Sequence, residues 1–392
     1  MSHSTCQACG GTALHDFYEI PNIPVHSCLM VDSREKARDF PKGDLRLSFC
    51  ETCGFIQNSL YEAELQNYSP DYEETQAFSP RFMQLVAEIC DDQNAKYDLA
   101  GKSALEIGCG KGEFLMALCE RTGCRGIGID PGFRPERLPE HLVERIEFIQ
   151  DFYGPKYRHL AADYVCCRHT LEHIGPVETF MRLVRESIGD RHATPVFFEL
   201  PATERVLDEQ AFWDIYYEHC SYFTAGSLAR LFRRTGFDVR ELYKVYDDQY
   251  LMIEAFPTAG ATEAKLDAED DLAETRQRVE TFKTAIRERK AKLIGDVERW
   301  TAEGRKVALW GSGSKAVSYL TTLGLADRIS AVVDINPHKW GKFLAGAGNE
   351  IVSPSALSEI RPDVVIAMNP IYVGEIGRDL EKLGLSVELQ AI

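Results

Sequence analysis

Short apolar runs that break off at glycines or acids recur through the middle of the chain. Ser103-Ala-Leu-Glu-Ile107 predicts a buried strand that runs into Gly108, Gly110 and Gly112 and then into a helix. Gly126-Ile-Gly-Ile-Asp130, Ile146-Glu-Phe-Ile-Gln-Asp151-Phe152 and Asp163-Tyr-Val-Cys-Cys167 predict three more strands, and Val196-Phe-Phe-Glu-Leu-Pro201 another strand end. An alternating strand and helix order would bring the polar ends of these strands to one edge of a sheet. The same grammar returns near the end, as Arg305-Lys-Val-Ala-Leu-Trp-Gly311-Ser-Gly-Ser-Lys315 and then Ile329-Ser-Ala-Val-Val-Asp334. Between the two halves, Val279, Phe282, Ile286, Leu293, Val297 and Trp300 are spaced as one face of a long helix, expected to strap the larger bodies together. Ahead of both lie two shorter candidate strands, Phe17-Tyr-Glu-Ile20 and Leu45-Arg-Leu-Ser-Phe49.

A chain of 392 residues exceeds the size of one hydrophobic core, so two or three domains are expected. Hydrophobic residues at 44% and charged residues at 27% are those of a globular protein, and no apolar run is long enough to span a bilayer. The first residues lack a basic start followed by an apolar stretch, which places the expected location in the cytoplasm. A net charge of -17 argues against nucleic acid or an anionic membrane as partner, and for a small molecule bound by a monomer or small homo-oligomer.

Of twelve cysteines, several sit singly inside apolar segments (Cys109, Cys119, Cys166, Cys167), as reduced core residues do. Four are organised. Cys6-Gln-Ala-Cys9-Gly and Cys50-Glu-Thr-Cys53-Gly are matched knuckles, each aiming two thiolates at one point. Two matched knuckles argue against a redox dithiol, which would occur once, and for a structural Zn2+ held by Cys6, Cys9, Cys50 and Cys53. With no open coordination position, such a zinc folds the module and does no chemistry.

A glycine triplet alone also suits a dinucleotide or a merely tight turn. Here Glu106 precedes it, Asp130 ends the next strand where it could accept a ribose hydroxyl, and Asp151 with Phe152 suits an adenine edge and face. Leu-Glu106-Ile-Gly108-Cys-Gly110-Lys-Gly112, then Gly-Ile-Asp130-Pro, then Arg168-His169-Thr-Leu-Glu-His173-Ile resembles the class I S-adenosylmethionine-dependent methyltransferases. The resemblance implies a Rossmann-like α/β core. It also implies that Glu106 and the glycines lie by the methionine part of S-adenosyl-L-methionine, Asp130 by its ribose, and Asp151 and Phe152 by its adenine. Arg168 is counted with that cofactor site.

Further on, Phe212-Trp-Asp-Ile-Tyr216-Tyr217-Glu218-His219-Cys-Ser-Tyr222-Phe-Thr224 packs a histidine, a carboxylate and three phenols into seven residues. These supply a base near neutral pH, an orienting acid and groups to hold hydroxyl or keto oxygens. The stretch resembles the zinc-containing sugar C-methyltransferases of deoxysugar biosynthesis, in which this histidine is the proposed base. That resemblance runs end to end: a cysteine-knuckle module, the methyltransferase core and a C-terminal nucleotide-fold domain. It implies His219, Glu218, Tyr217 and Tyr222 as catalytic residues and Tyr216, Tyr72 and His173 beside the acceptor, a nucleotide-linked 4-ketosugar. The sequence departs from those enzymes in two places. His169 stands where they carry a small polar residue, which puts a second titratable group toward the acceptor. The stretch from Asn67 to Pro80 lacks their serine-rich character, although it keeps Tyr68 and Tyr72.

In the C-terminal third the turn has Ala or Val where a dinucleotide motif needs its third glycine, which argues against NAD. The resemblance implies instead that this domain helps hold the acceptor, with the amides after Gly311 and the Lys315 side chain available to a phosphate. The expected organisation is a zinc-binding module over 1–75, the methyltransferase domain over 76–256, a linking amphipathic helix over 257–303 and a C-terminal Rossmann-like α/β domain over 304–392. The expected activity is C-methylation next to a ketone. Methylation of oxygen or nitrogen on a saccharide or other small molecule is the rival, and a non-catalytic zinc-ribbon interaction protein the remote one.

Overall fold

The computed structural model describes residues 4–66, 71–258, 260 and 265–392, so Tyr68 lies outside the described residues. Strands β1 (Leu14–Pro24) and β2 (Lys42–Cys50) pair antiparallel, and β3 (Ile56–Asn58) pairs antiparallel with β2. The two sequence-predicted front strands fall inside β1 and β2, and each knuckle sits at the end of this sheet.

The central sheet comprises β4 (Ser103–Ile107), β5 (Arg125–Ile129), β6 (Ile146–Ile149), β7 (Tyr164–Arg168) and β8 (Val196–Pro201). A two-residue strand, β9 (Ser221–Tyr222), leaves this region to pair with β3. A hairpin of β10 (Phe237–Val245) and β11 (Tyr250–Pro257) completes the central sheet, in the order β10-β11-β8-β7-β4-β5-β6. Strands β4 to β8 pair parallel and are covered on both faces, which is why β7 is buried at every position and reads as an apolar run up to its terminal Arg168. From β4 the chain steps outward to β5 and β6, then returns to β7 on the other side of β4. That reversal opens a crevice beyond the carboxyl ends of β4 and β7.

The pattern repeats in β12 (Val307–Trp310), β13 (Ala331–Val333), β14 (Ile351–Val352), β15 (Val364–Ala367) and β16 (Glu388–Ala391). These are all parallel, in the order β14-β13-β12-β15-β16, with a second reversal between β12 and β15.

The long helix spans Leu272–Ala302 and starts later than its periodicity-based range of 257–303. Before it the chain makes a single tight turn at Asp267–Glu269, held by Arg233 on Glu269, and Arg230 pairs with Asp271 at the helix start. Its stripe is buried as expected at Val279, Phe282, Ile286, Val297 and Trp300, with Leu293 packed alongside. These residues share one core with Phe17, Ile20 and Leu47 of the front sheet and Val307, Leu309 and Val332 of the last. The knuckle end of the front sheet instead leans on the central domain, where Arg230 Nε donates to the Cys53 carbonyl at 2.8 Å. Among the described residues, no helix is long and apolar enough to cross a membrane.

Candidate active site

The four knuckle sulfurs converge. Cys6 Sγ lies 3.6 Å from Cys53 Sγ and Cys9 Sγ 3.6 Å from Cys50 Sγ, with all four within 4.8 Å of one another. A tetrahedron with zinc–sulfur bonds of about 2.3 Å has edges of about 3.8 Å, so the donor set and its spacing suit zinc.

The first glycine loop leaves β4 with Gly108, Gly110 and Gly112 all at positive φ, a conformation that side-chain-bearing residues adopt at a cost. Asp130, following β5, accepts from the Gly110 amide at 2.9 Å and the Gly132 amide at 2.7 Å, which fixes it against the loop. Glu106 is 2% exposed, and its Oε2 is buried without a hydrogen-bond partner. Burial pushes its carboxyl up to about 8, with the Arg168 guanidinium opposing in part. An orphaned buried carboxylate oxygen beside a glycine loop suits a ligand that brings its own donors or positive charge, as S-adenosylmethionine does. Strand β6 ends at Ile149, so Asp151 lies in the turn beyond it. There it takes the Tyr157 hydroxyl and pairs with Lys156, while Phe152 stands 60% exposed at the cavity rim. Arg168 ends β7 with its Nε on Glu199 and its guanidinium 4.2 Å from the Phe114 ring centroid.

One cavity of about 950 Å³ joins this loop to the second one. Its wall includes Glu106, Gly108, Gly110, Asp130, Asp151, Phe152, Arg168, His169, His173, Tyr72, Tyr216, His219, Gly311 and Lys315. Gly112, Tyr217, Glu218 and Tyr222 do not line it. Tyr217 is turned away: its hydroxyl accepts from the Glu62 amide at 3.0 Å, under Gly43. Tyr222 donates to the Tyr216 carbonyl at 3.4 Å. Glu218 sits one layer back, accepting from the Ser27 hydroxyl at 2.8 Å, from the Ser27 amide and from the Tyr72 hydroxyl, with His26 Nδ1 3.6 Å away. Although burial works the other way, His26 holds its carboxyl below the usual range, so Glu218 is a buried anion that positions Tyr72.

The histidines divide by environment. His219 is buried with its ring 4.1 Å from Tyr216 and 4.8 Å from His173. Burial, with His173 and His169 adding to it, pushes its pKa well below the ordinary 6.5, so the imidazole is neutral. His169 goes the other way. Burial would lower it, but Glu199 at 3.1 Å and Glu172 at 3.7 Å override that and raise it to about 9. It is held in the left-handed region at φ 48°, a strained conformation for a residue with a Cβ, and lines the cavity. Glu172, His173 and His219 bring a carboxylate and two imidazoles within 4.8 Å of one another.

In the second loop Gly311 has φ 110°, and Lys315 is ion-paired to Asp214 of the segment that leads into the Tyr-Glu-His stretch. The Lys315 charge is thus already met by a carboxylate, unlike the free ammonium pictured for a phosphate. Asp334 accepts from the Ser312 amide at 3.0 Å and the Asn336 amide at 2.8 Å, and pairs with Lys339 at 3.3 Å.

Sequence reasoning missed Glu74, Glu172, Glu199 and Gln249, whose amide pairs with that of Asn369, a strand-end residue legible in the sequence. Glu199 carried a usable signal, since it lies two residues before the end of β8 among the other polar strand ends. Glu74 carried none, because its segment is irregular and reaches the loop only through the tertiary fold.

A family model described as a methyltransferase domain matches residues 80–242, and one described as the C-methyltransferase C-terminal domain matches residues 254–384. Over 391 residues the chain is 24% identical to the C-methyltransferase NovU of Streptomyces niveus, covering 95% of this chain and 90% of that one. Solved structures similar to it include the 1,6-didemethyltoxoflavin-N1-methyltransferase of Burkholderia thailandensis, at 19% identity and a TM-score of 0.35 over 45% of this chain and 78% of that one. Another is the magnesium protoporphyrin IX methyltransferase of Synechocystis PCC 6803, at 15% identity and a TM-score of 0.36 over 45% and 84%.

Proposed function

Because the chain is an S-adenosylmethionine-dependent methyltransferase, we propose that it methylates a carbon next to a ketone of a nucleotide-linked deoxysugar, with His219 as general base. The observation that carries this reading is the opposed state of two histidines in one cavity. His219 is neutral and can remove a proton, while His169 is a cation and can face the negative charge that removal creates. The names of the C-terminal family model and of the full-length relative both support carbon as the methylated atom.

Glu106, the glycine loop and Asp130 would hold S-adenosylmethionine, which supplies an electrophilic sulfonium methyl when bound. The chain's own work is then placement and proton removal. Tyr72, fixed through Glu218, and Tyr216 orient the acceptor over His219. His219 takes the proton from the carbon beside the ketone, and the electron pair passes to the ketone oxygen as an enolate. His169, locked between Glu199 and Glu172, stabilises that oxyanion. The second loop shapes the other end of the cavity, which suits the nucleotide part of the acceptor. The cysteine quartet acts as a structural zinc site, and metal analysis of the purified protein is expected to find about one zinc per chain.

The test is mass spectrometry of reactions holding methyl-deuterated S-adenosylmethionine and a panel of nucleotide-linked 4-keto-6-deoxysugars beside the corresponding alcohols. Label on carbon of a ketosugar alone is the expected result. Label on an alcohol oxygen would replace this reading with O-methylation, and no label with cofactor bound would exclude the nucleotide sugars tested.

A further inference from the structure

We propose that Glu74 is the counter-charge for a cationic group of bound S-adenosylmethionine, a cofactor-binding residue contributed by the segment that crosses from the front sheet to the central domain. The proposal rests on the cofactor reading of the first glycine loop and is independent of the acceptor.

Two consecutive residues of this segment, Tyr72 and Glu73, are anchored to the central and last domains. The Tyr72 hydroxyl donates to Glu218 beside the Tyr-Glu-His stretch. Glu73 is buried, pairs with Arg137 of the central domain at 2.6 Å and accepts from Asn336 Nδ2 of the last domain at 3.0 Å. Next in the chain, Glu74 lies over the first glycine loop. Its Oε1 approaches Gly110 so closely that a Cβ there would sit 2.8 Å away, so the missing side chain makes room for the carboxylate.

The carboxylate is not satisfied where it lies. Among the described residues, its buried Oε2 has no hydrogen-bond partner. Lys111 Nζ is 3.6 Å from that oxygen, but its hydrogen bond goes to the Gly132 carbonyl at 2.7 Å. Burial pushes the Glu74 carboxyl up to about 7, with Lys111 opposing in part and Asp130 adding to the rise. On the same cavity wall, Glu106 presents a second buried carboxylate oxygen with no partner. Four acids line this loop, Glu74, Glu106, Asp130 and Glu113, against the two cations Lys111 and Arg168, so carboxyl groups are in excess there. S-adenosylmethionine carries two positive charges, an α-ammonium and a sulfonium, and either would restore the balance. Nothing in the sequence pattern points to Glu74.

Calorimetric titration of wild type and Glu74→Gln with three probes tests the assignment. S-adenosylmethionine carries both charges, S-adenosylhomocysteine keeps only the ammonium, and 5′-methylthioadenosine has neither. If Glu74 faces the ammonium, the variant binds the first two on the order of ten- to hundredfold more weakly and the third unchanged. If it faces the sulfonium, only S-adenosylmethionine binding falls. The unchanged third probe also reports an intact loop in the variant. Equal loss of all three probes at a wild-type melting temperature, or no loss of any, overturns the proposal. Failure of wild type to bind S-adenosylmethionine would instead overturn the cofactor reading itself.

Discussion

The two glycine loops of this chain follow one plan and differ in what they leave open. Each lies between a buried parallel strand and a helix, at a reversal of strand order, with an acid from the next strand folded against it. In the first, Asp130 is held by two backbone amides, Glu106 stands two residues before Gly108, and its Oε2 has no partner. In the second, the residue two places before Gly311 is the apolar Leu309, and Asp334 is saturated by Ser312, Asn336 and the buried Lys339. The difference teaches that strand, glycine turn and acid are a folding solution shared by both loops. Readiness for a charged ligand depends on whether the acid is already neutralised from within.

The largest effect is expected where the two loops meet. His219→Asn should lower kcat by about 10²- to 10⁴-fold while leaving the S-adenosylmethionine Kd unchanged, since His219 belongs to the proton transfer and not to either loop. Equal activity in the variant would take His219 out of the mechanism.

Exchanging damage between the loops should separate binding from stability. Asp130→Ala should weaken S-adenosylmethionine by about a hundredfold in calorimetry. Asp334→Ala strands the Lys339 ammonium in the interior, which should cost about 3–5 kcal/mol in chemical denaturation with cofactor affinity unchanged. A cofactor defect in the second variant would mean that the two loops are not divided in this way.

The smallest effect is a pH dependence. His169 is raised from 6.5 to about 9, so its ion pairs add stability that is complete below pH 6.5 and is lost as pH rises through about 9. The same loss removes the cation facing the acceptor, so activity should fall on that alkaline limb. Melting temperatures and pH–rate profiles of His169→Gln should lack the limb. A variant that keeps it would assign the titration to another group.

Much of the site was legible because strand ends are local. Glu106, Asp130, Asp151 and the glycines follow apolar runs whose length and spacing predict a parallel sheet, and the cysteine knuckles announce themselves by their spacing. The Tyr-Glu-His stretch was legible as chemistry but not as geometry. All three of its tyrosines were expected at the acceptor, whereas the fold turns Tyr216 into the cavity, buries Tyr217 against Gly43 and places Tyr222 behind. An irregular segment has no period from which to read the direction of its side chains.

What the sequence determined by itself is the order of strands and helices, the cysteine quartet and the cofactor loop, because hydrophobic periodicity and turn chemistry act over a few residues. Only the tertiary structure decided which carboxylate neutralises which cation. Lys315 meets Asp214 across 101 residues, Tyr72 meets Glu218 across 146, and Glu73 meets Asn336 across 263. It decided the protonation of the histidines for the same reason. Burial and neighbouring charge set a pKa, and for His219 both come from the packing of distant segments around one cavity.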